Sequence, residues 1–428
     1  MRLGRPFTLL WAGQSASLIG DQLTRLALPL VAVLVLHATP GQVAALAAAG
    51  QLPFLILALP AGVWVARFGL RRAMLAADMV RGVAILSVPL FGAGGYPRLL
   101  VVAVVVGVAT VPFQLAYQSV VPALVPAELI PAANRRLTLS ESAAALLGPA
   151  AAGLLVGAVG AVRALYADAA SYLVSIATLA AVRDGGAIGH ADAGGAVRQV
   201  IAGWRYVLAS PPLRALMWAS ALFNAGFAGY EALLTVFAIR TLHLTPGTLG
   251  LSVAAGGVGV PLGVALSRTA ERRVGRGPTL VLAAALSAAG PFLVAAATPG
   301  TAVQLVAAAT AVTGIGGGCW GVAALTTRQL LSHPDMRVQT TATHRFVSLG
   351  VLAPAAWAAG LAADTVGPRW AILTFAALGA LSLLPLLRVP RLSWSTPTVR
   401  AAASTPKTTA STYLGLSRST SGTTKPRP

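Results

Sequence analysis

A chain of 428 residues that is 56% hydrophobic and only 10% charged lacks the composition of a soluble protein, where about a quarter of residues carry charge. A formal net charge of +20 would suit a nucleic-acid partner on a soluble chain, but here the basic residues collect in short loops between apolar runs, as in membrane proteins. The single cysteine, Cys319, excludes an internal disulfide and a cysteine-based metal site.

A membrane-spanning helix needs about 20 mostly apolar residues. Twelve segments qualify: 7–36, 42–66, 73–93, 98–125, 138–160, 163–182, 213–239, 248–268, 278–297, 301–327, 343–363 and 368–388. The first is too long for a signal-peptide core and carries Asp21 and Arg25, so it is predicted to remain as a transmembrane helix. Residues 183–212 join two sets of six. Within them Val197, Val200, Ile201, Trp204, Val207 and Leu208 follow a helical period with Arg198 and Arg205 off that face, predicting an amphipathic helix at the cytoplasmic surface. Residues 391–428, rich in Ser, Thr and Pro, are predicted to be a disordered cytoplasmic tail. The predicted organisation is an all-α membrane protein with one six-helix bundle over 1–182, a linker over 183–212 and a second bundle over 213–390.

Of the Lys and Arg residues, twenty-five fall on one side of these spans and four on the other. That asymmetry predicts cytoplasmic termini in a multi-pass protein of the plasma membrane. The two bundles also repeat one another. His37-Ala38-Thr39-Pro40-Gly41 recurs 206 residues later as His243-Leu244-Thr245-Pro246-Gly247, each copy closing a first helix and opening a second. Leu59-Pro60-Ala61-Gly62 resembles Val260-Pro261-Leu262-Gly263, and Arg67 with Arg71-Arg72 resembles Arg268 with Arg272-Arg273. Gly160-Ala161-Val162-Arg163 and Gly367-Pro368-Arg369 match more loosely. Two pseudo-symmetric halves of like topology predict a substrate site between them near the midplane.

The run from Phe7 through Trp11, Gly13, Gln14, Ser15, Ser17 and Gly20 to Asp21-Gln22 resembles the start of drug:proton antiporters of the major facilitator superfamily, in the branch of enterobactin-exporter-like and macrolide-efflux-like proteins. Asp78 and Arg81, the segment Val121-Pro122 to Glu128, and Asp168 through Ser171-Tyr172 are similar to the same branch. The superfamily's gating loop is matched by Gly62, Arg67, Gly69, Arg71 and Arg72, where glycine permits close helix approach and arginines hold charge at the rim. Ala66 stands where the superfamily usually has an aspartate, and Ser267 in the second half is no acid either, so an acid-based cytoplasmic latch is in doubt there. Asp78 and Arg81, spaced i,i+3, supply a local pair instead. Gly148, Pro149 and Gly153 resemble the helix 5 motif of exporters, in which proline bends the helix and small residues allow tight contact.

Ionisable residues inside a membrane are costly and mark functional sites by default. Asp21 lies about 21 Å along the first helix, well inside the bilayer, and shares a polar arc with Gln14, Ser17, Thr24 and Arg25. In the seventh span Asn224, Phe227 and Glu231 share a face, and the repeat relates Glu231 to Arg25. Gln114, Tyr117 and Gln118 in the fourth span and Thr313, Gly317 and Trp320 in the tenth complete the predicted cavity lining, since the resemblance implies that spans 1, 4, 7 and 10 surround the pathway. Asp21 and Glu231, with Arg25, are the candidates for proton coupling; a purely structural Asp21–Arg25 pair, one turn apart, is the alternative.

The reading that follows is a secondary transporter exporting a small drug, siderophore or metabolite by proton antiport, acting as a monomer in the bilayer without cofactor, metal or nucleic acid. An importer or uniporter on the same fold is the first alternative, and a non-transporting sensor the second. A membrane enzyme is disfavoured: no paired-aspartate, HExxH or phosphate-loop motif occurs, and the glycines from Gly314 to Gly318 lack the Lys-Ser/Thr that closes such a loop.

Overall fold

The structure, a computed structural model, describes residues 3–92, 94–182, 196–333, 336–390 and Trp394, without certain side chains in 58–66 and 196–202 and those of 127 and 338. The predicted tail from 391 onward, Trp394 apart, and residues 183–195 of the linker lie outside the described residues. Among the described residues, twelve helical stretches are long and apolar enough to cross a membrane, matching the predicted count.

The first half comprises α1 (Arg5–Leu30), α2 (Pro40–Phe68), α3 (Leu70–Phe91), α4 (Tyr96–Leu124), α5 (Ile130–Val159) and α6 (Ala161–Ala181). A connecting helix, α7 (Ala196–Ala209), leads to α8 (Pro211–Arg240), α9 (Pro246–Val274), α10 (Arg276–Ala296) and α11 (Ala302–Leu331). The eleventh span is built of α12 (Arg337–Gly350) and α13 (Leu352–Val366), and the twelfth of α14 (Pro368–Ala380) and α15 (Leu383–Leu387).

The sequence repeat is also a repeat of backbone geometry. After α1 the chain passes through His37 at φ 50°, and after α8 through His243 at φ 57°, the left-handed conformation that releases the chain from a helix. The Ala38 N–H donates to Ala32 O and the Leu244 N–H to Ala238 O, both at 2.9 Å. Thr39 and Thr245 then cap α2 and α9, each hydroxyl accepting from a backbone N–H three residues on at 3.2 Å, with proline in the first turn. Gly69 and Gly275, at φ 85° and 84°, open α3 and α10 at equivalent points.

The halves meet at the end of the molecule away from the chain termini. There the Asp364 carboxylate accepts from the Gly41 N–H at 2.9 Å and the Thr39 hydroxyl at 3.3 Å, seating an acid on the N-terminus of α2. Arg240 donates to Val33 O at 3.3 Å. On the opposite seam α5 packs on α9 so closely that a Cβ on Gly153 would lie 2.5 Å from Pro246 O and 2.9 Å from Gly250 Cα. The connecting helix packs through one face and leaves Arg205 exposed. Its Val207 is buried with Leu213 and Met217, and the Tyr206 hydroxyl accepts from the His333 N–H at 2.9 Å. Trp394 is likewise buried, against Gly277, with Arg276 donating to its carbonyl at 3.2 Å.

Candidate transport site

The interior of the first half is built around a charge. Arg81 is the largest fully buried side chain among the described residues, standing about 17 Å along α3 from its first residue. Its guanidinium pairs with Asp78 one turn back, and lies 3.9 Å from the Asp21 carboxylate of α1. Two rings hold it in place: Phe113 of α4 with its centroid at 4.1 Å and Tyr172 of α6 at 4.9 Å. The Arg81 Nε has no hydrogen-bond partner.

Each acid is tied to a helix other than its own. Asp78, fully buried, accepts from the Ser175 hydroxyl at 2.6 Å, and Gln14 of α1 donates to that same hydroxyl oxygen at 3.3 Å. Asp21 accepts from the Tyr172 hydroxyl at 2.8 Å and keeps 38% of its side chain accessible. Asp168 of α6, also fully buried, accepts from Thr24 of α1 and from Ser171 at 3.1 Å. Gly20 makes this packing possible, because a Cβ there would overlap both Asp168 and Ser171. Asp21 and Asp78 therefore share one guanidinium, Asp168 is held beside them by Thr24 and Ser171, and of the three acids only Asp21 reaches accessible space.

The i,i+4 pair of Asp21 with Arg25 does not form. Among the described residues Asp21 is ion-paired with Arg81, which the stacked rings fix beside it, while Arg25 is exposed. Glu231 of α8, at the place the repeat relates to Arg25, is likewise exposed. The structure thus separates Asp21, paired with Arg81 beside Asp78 inside the first half, from Arg25 and Glu231, which are exposed on α1 and α8.

The other sequence-derived candidates are scattered. Ser17 is buried beside Gln14 on α1; Gln114 and Gln118 are exposed on α4, and Tyr117 between them is stacked on Phe113 with its hydroxyl unpartnered. Asn224 donates to Ser348 O at 2.8 Å, and Phe227 stacks between Phe223 and Tyr230. Thr313 donates to Ser287 O of α10 at 3.3 Å and Trp320 packs into the second half's own core, so both side chains engage the bundle interior. In the gating loop, Gly62 lies within α2, Gly69 opens α3, Arg67 and Arg72 are exposed, and Arg71 donates to Leu179 O and Ala180 O at 2.9 and 2.7 Å, capping the carbonyl end of α6. Asp78 and Arg81 do not sit with that loop but deep in the bundle. In the helix 5 motif Gly148 fits against the Gln22 side chain of α1, Pro149 sends its carbonyl toward Gly250, and Gly153 packs on α9.

Sequence reasoning missed Tyr172, Ser175 and Phe113 as partners of the charges, and Glu141 altogether. Glu141 is an exposed acid on α5 that acts electrostatically on Tyr117. An acid inside a predicted span was the available signal for Glu141; the others needed the packing of four helices.

A family model described as a transmembrane secretion effector matches residues 4–413. The multidrug efflux pump Tap of Mycobacterium tuberculosis is 29% identical over 286 residues, which cover 63% of this chain and 68% of that protein. Among solved structures, a mutant of the nucleoside transporter NupG superposes with a TM-score of 0.73 at 10% identity, covering 89% of this chain and 99% of that one. A bacterial homologue of the iron transporter ferroportin in an inward-facing state superposes with a TM-score of 0.71 at 18% identity, covering 92% and 100%. These last two likenesses establish the fold. With a family match over nearly the whole length and twelve spans in two repeated halves, the chain belongs to the transmembrane secretion effector family of the major facilitator superfamily, and is a multi-pass membrane transporter of small molecules.

Proposed function

We propose that the protein exports a small organic molecule across the plasma membrane in exchange for protons, with both termini in the cytoplasm. The observation that carries this reading is the Asp21 carboxylate: it alone among the three interior acids of the first half reaches accessible space, and it touches the buried Arg81 group behind it. A site removed from bulk water does not hold unbalanced negative charges, and a proton is the smallest counter-ion that neutralises one. Asp21 and Asp78 about one guanidinium therefore form a group whose charge balance changes when Asp21 gains or loses a proton. Arg25 of α1 and Glu231 of α8 stand on different halves, so that rocking of the halves alters their separation.

Cytoplasmic termini make the described arrangement, joined at the far end, one that opens toward the cytoplasm and accepts substrate from inside the cell. Export is supported by the helix 5 glycines at the α5–α9 seam and by the likeness to a multidrug efflux pump. Purified protein in liposomes, given a panel of amphipathic drugs and siderophores and an imposed pH gradient, tests the reading with an interior pH reporter. Substrate-dependent proton movement is the expected result. Substrate flux indifferent to the gradient would establish a uniporter and leave the acids as structural groups.

A further inference from the structure

The second half carries a cavity of about 830 Å³ where α11 ends and α12 begins, lined by Thr326, Gln329, Leu330, Arg337, Thr341 and Arg345 among others. It is far from the Asp21 group in chain position and chemistry: no acid lines it. Arg328, next in sequence to the lining residue Gln329, has its Nε buried without a partner. Among the described residues no carboxylate pairs with Arg328, Arg337 or Arg345. Arg337 and Arg345 thus line one hollow with no carboxylate partner among the described residues, an arrangement that suits an anion from outside the protein.

The surroundings of the hollow identify the anion. It lies at the level where one span ends at Leu331 and the next begins at Gln339, the boundary of the apolar zone. Ala342, Arg345, Phe346 and Leu349 form one exposed face of α12, spaced i, i+3, i+4 and i+7, so the arginine continues directly into apolar surface. Phe346 is 57% and Leu349 46% exposed, while Leu330 presents a similar apolar edge from α11. On the facing half, α2 touches α12 at Leu55 and Gly350, and Ile56 beside that contact is exposed. Basic groups at the rim with an apolar cleft leading inward match a phosphate headgroup with an acyl chain.

We infer that this cavity binds an anionic phospholipid, its phosphate held by Arg337 and Arg345 and a chain lying along Phe346 and Leu349 between the parted halves. Basic residues that serve only to orient the chain need neither a shared hollow nor an adjoining apolar face, and Arg268 and Arg272 at another rim position provide the comparison. The inference is independent of proton coupling.

The test uses the purified full chain in neutral detergent with phosphatidylglycerol or chain-matched phosphatidylcholine, followed by native mass spectrometry. Phosphatidylglycerol is expected to be retained roughly fivefold or more over phosphatidylcholine. Arg337→Gln with Arg345→Gln is expected to abolish that preference, and Arg268→Gln with Arg272→Gln to preserve it. Arg345→Gln alone carries the test should the double variant fail to fold. Equal retention of the two lipids by the unaltered protein would overturn the inference, as would an equal loss in both double variants. Displacement of phosphatidylglycerol by inorganic phosphate at matched concentration would assign the hollow to free phosphate and reject the lipid.

Discussion

The two halves of the molecule share a backbone and differ in what they enclose. Gly20 and Gly226 are equivalent in the repeat, and each lets α6 or its counterpart α14 press close to the first helix of its half. Against Gly20 stand Asp168 and Ser171; against Gly226 stands the Phe375 backbone together with Gly379. The same registration puts Phe227 where the first half has Asp21, Ala284 where it has Asp78, and Ser287 where it has Arg81. Turns, caps and helix contacts were duplicated, while the charged interior belongs to one half alone. The scaffold of this fold is therefore separable from its chemistry.

The largest expected effect comes from removing the shared cation. Arg81→Ala strands Asp21 and the fully buried Asp78 without their guanidinium and is expected to cost about 3–5 kcal/mol, whereas Ser287→Ala, at the equivalent place, is expected to cost about 1 kcal/mol. Thermal unfolding of the two variants in one detergent checks the contrast; similar losses would mean that the halves do not differ in kind.

The two seams offer the next comparison, since both join the halves at the same end by different means. Gly153→Ala drives a methyl into the backbone of Pro246 and Gly250, an overpacking expected to disfavour the joined arrangement by roughly 2 kcal/mol. Asp364→Ala removes a partly solvated acid from the start of α2 and is expected to shift the same equilibrium less, by on the order of 1 kcal/mol. Distances between spin labels placed across the far end read both shifts, and a larger effect for Asp364 would reverse the ranking of the seams. Smallest and most even are the caps: Thr39→Ala and Thr245→Ala are each expected to lose about 1 kcal/mol or less. A clear inequality in their unfolding temperatures would show that the duplicated turns are not energetically equivalent.

Much of the scaffold was legible before the structure because its signals are local. Span length counts residues, and the His-x-Thr-Pro-Gly element marks a left-handed residue, a cap and a helix start within five positions. Asp21 was legible too, by its depth in an apolar run. Its partners were not. Periodicity within α1 points from Asp21 to Arg25, whereas the guanidinium beside it comes from α3 and is steered there by rings on α4 and α6. Such a pairing depends on how four helices pack, and no one-helix pattern encodes it. Arg25 is left exposed, as is Glu231, which the repeat relates to it.

The claim that Asp21 couples protons to transport is tested most directly by Asp21→Asn in liposomes, assayed both for flux driven by a pH gradient and for substrate exchange at equal pH. The expected result is exchange close to that of the unaltered protein with gradient-driven accumulation lost. Gradient-driven transport that survives in Asp21→Asn would contradict the account and remove the Arg81 group from the mechanism.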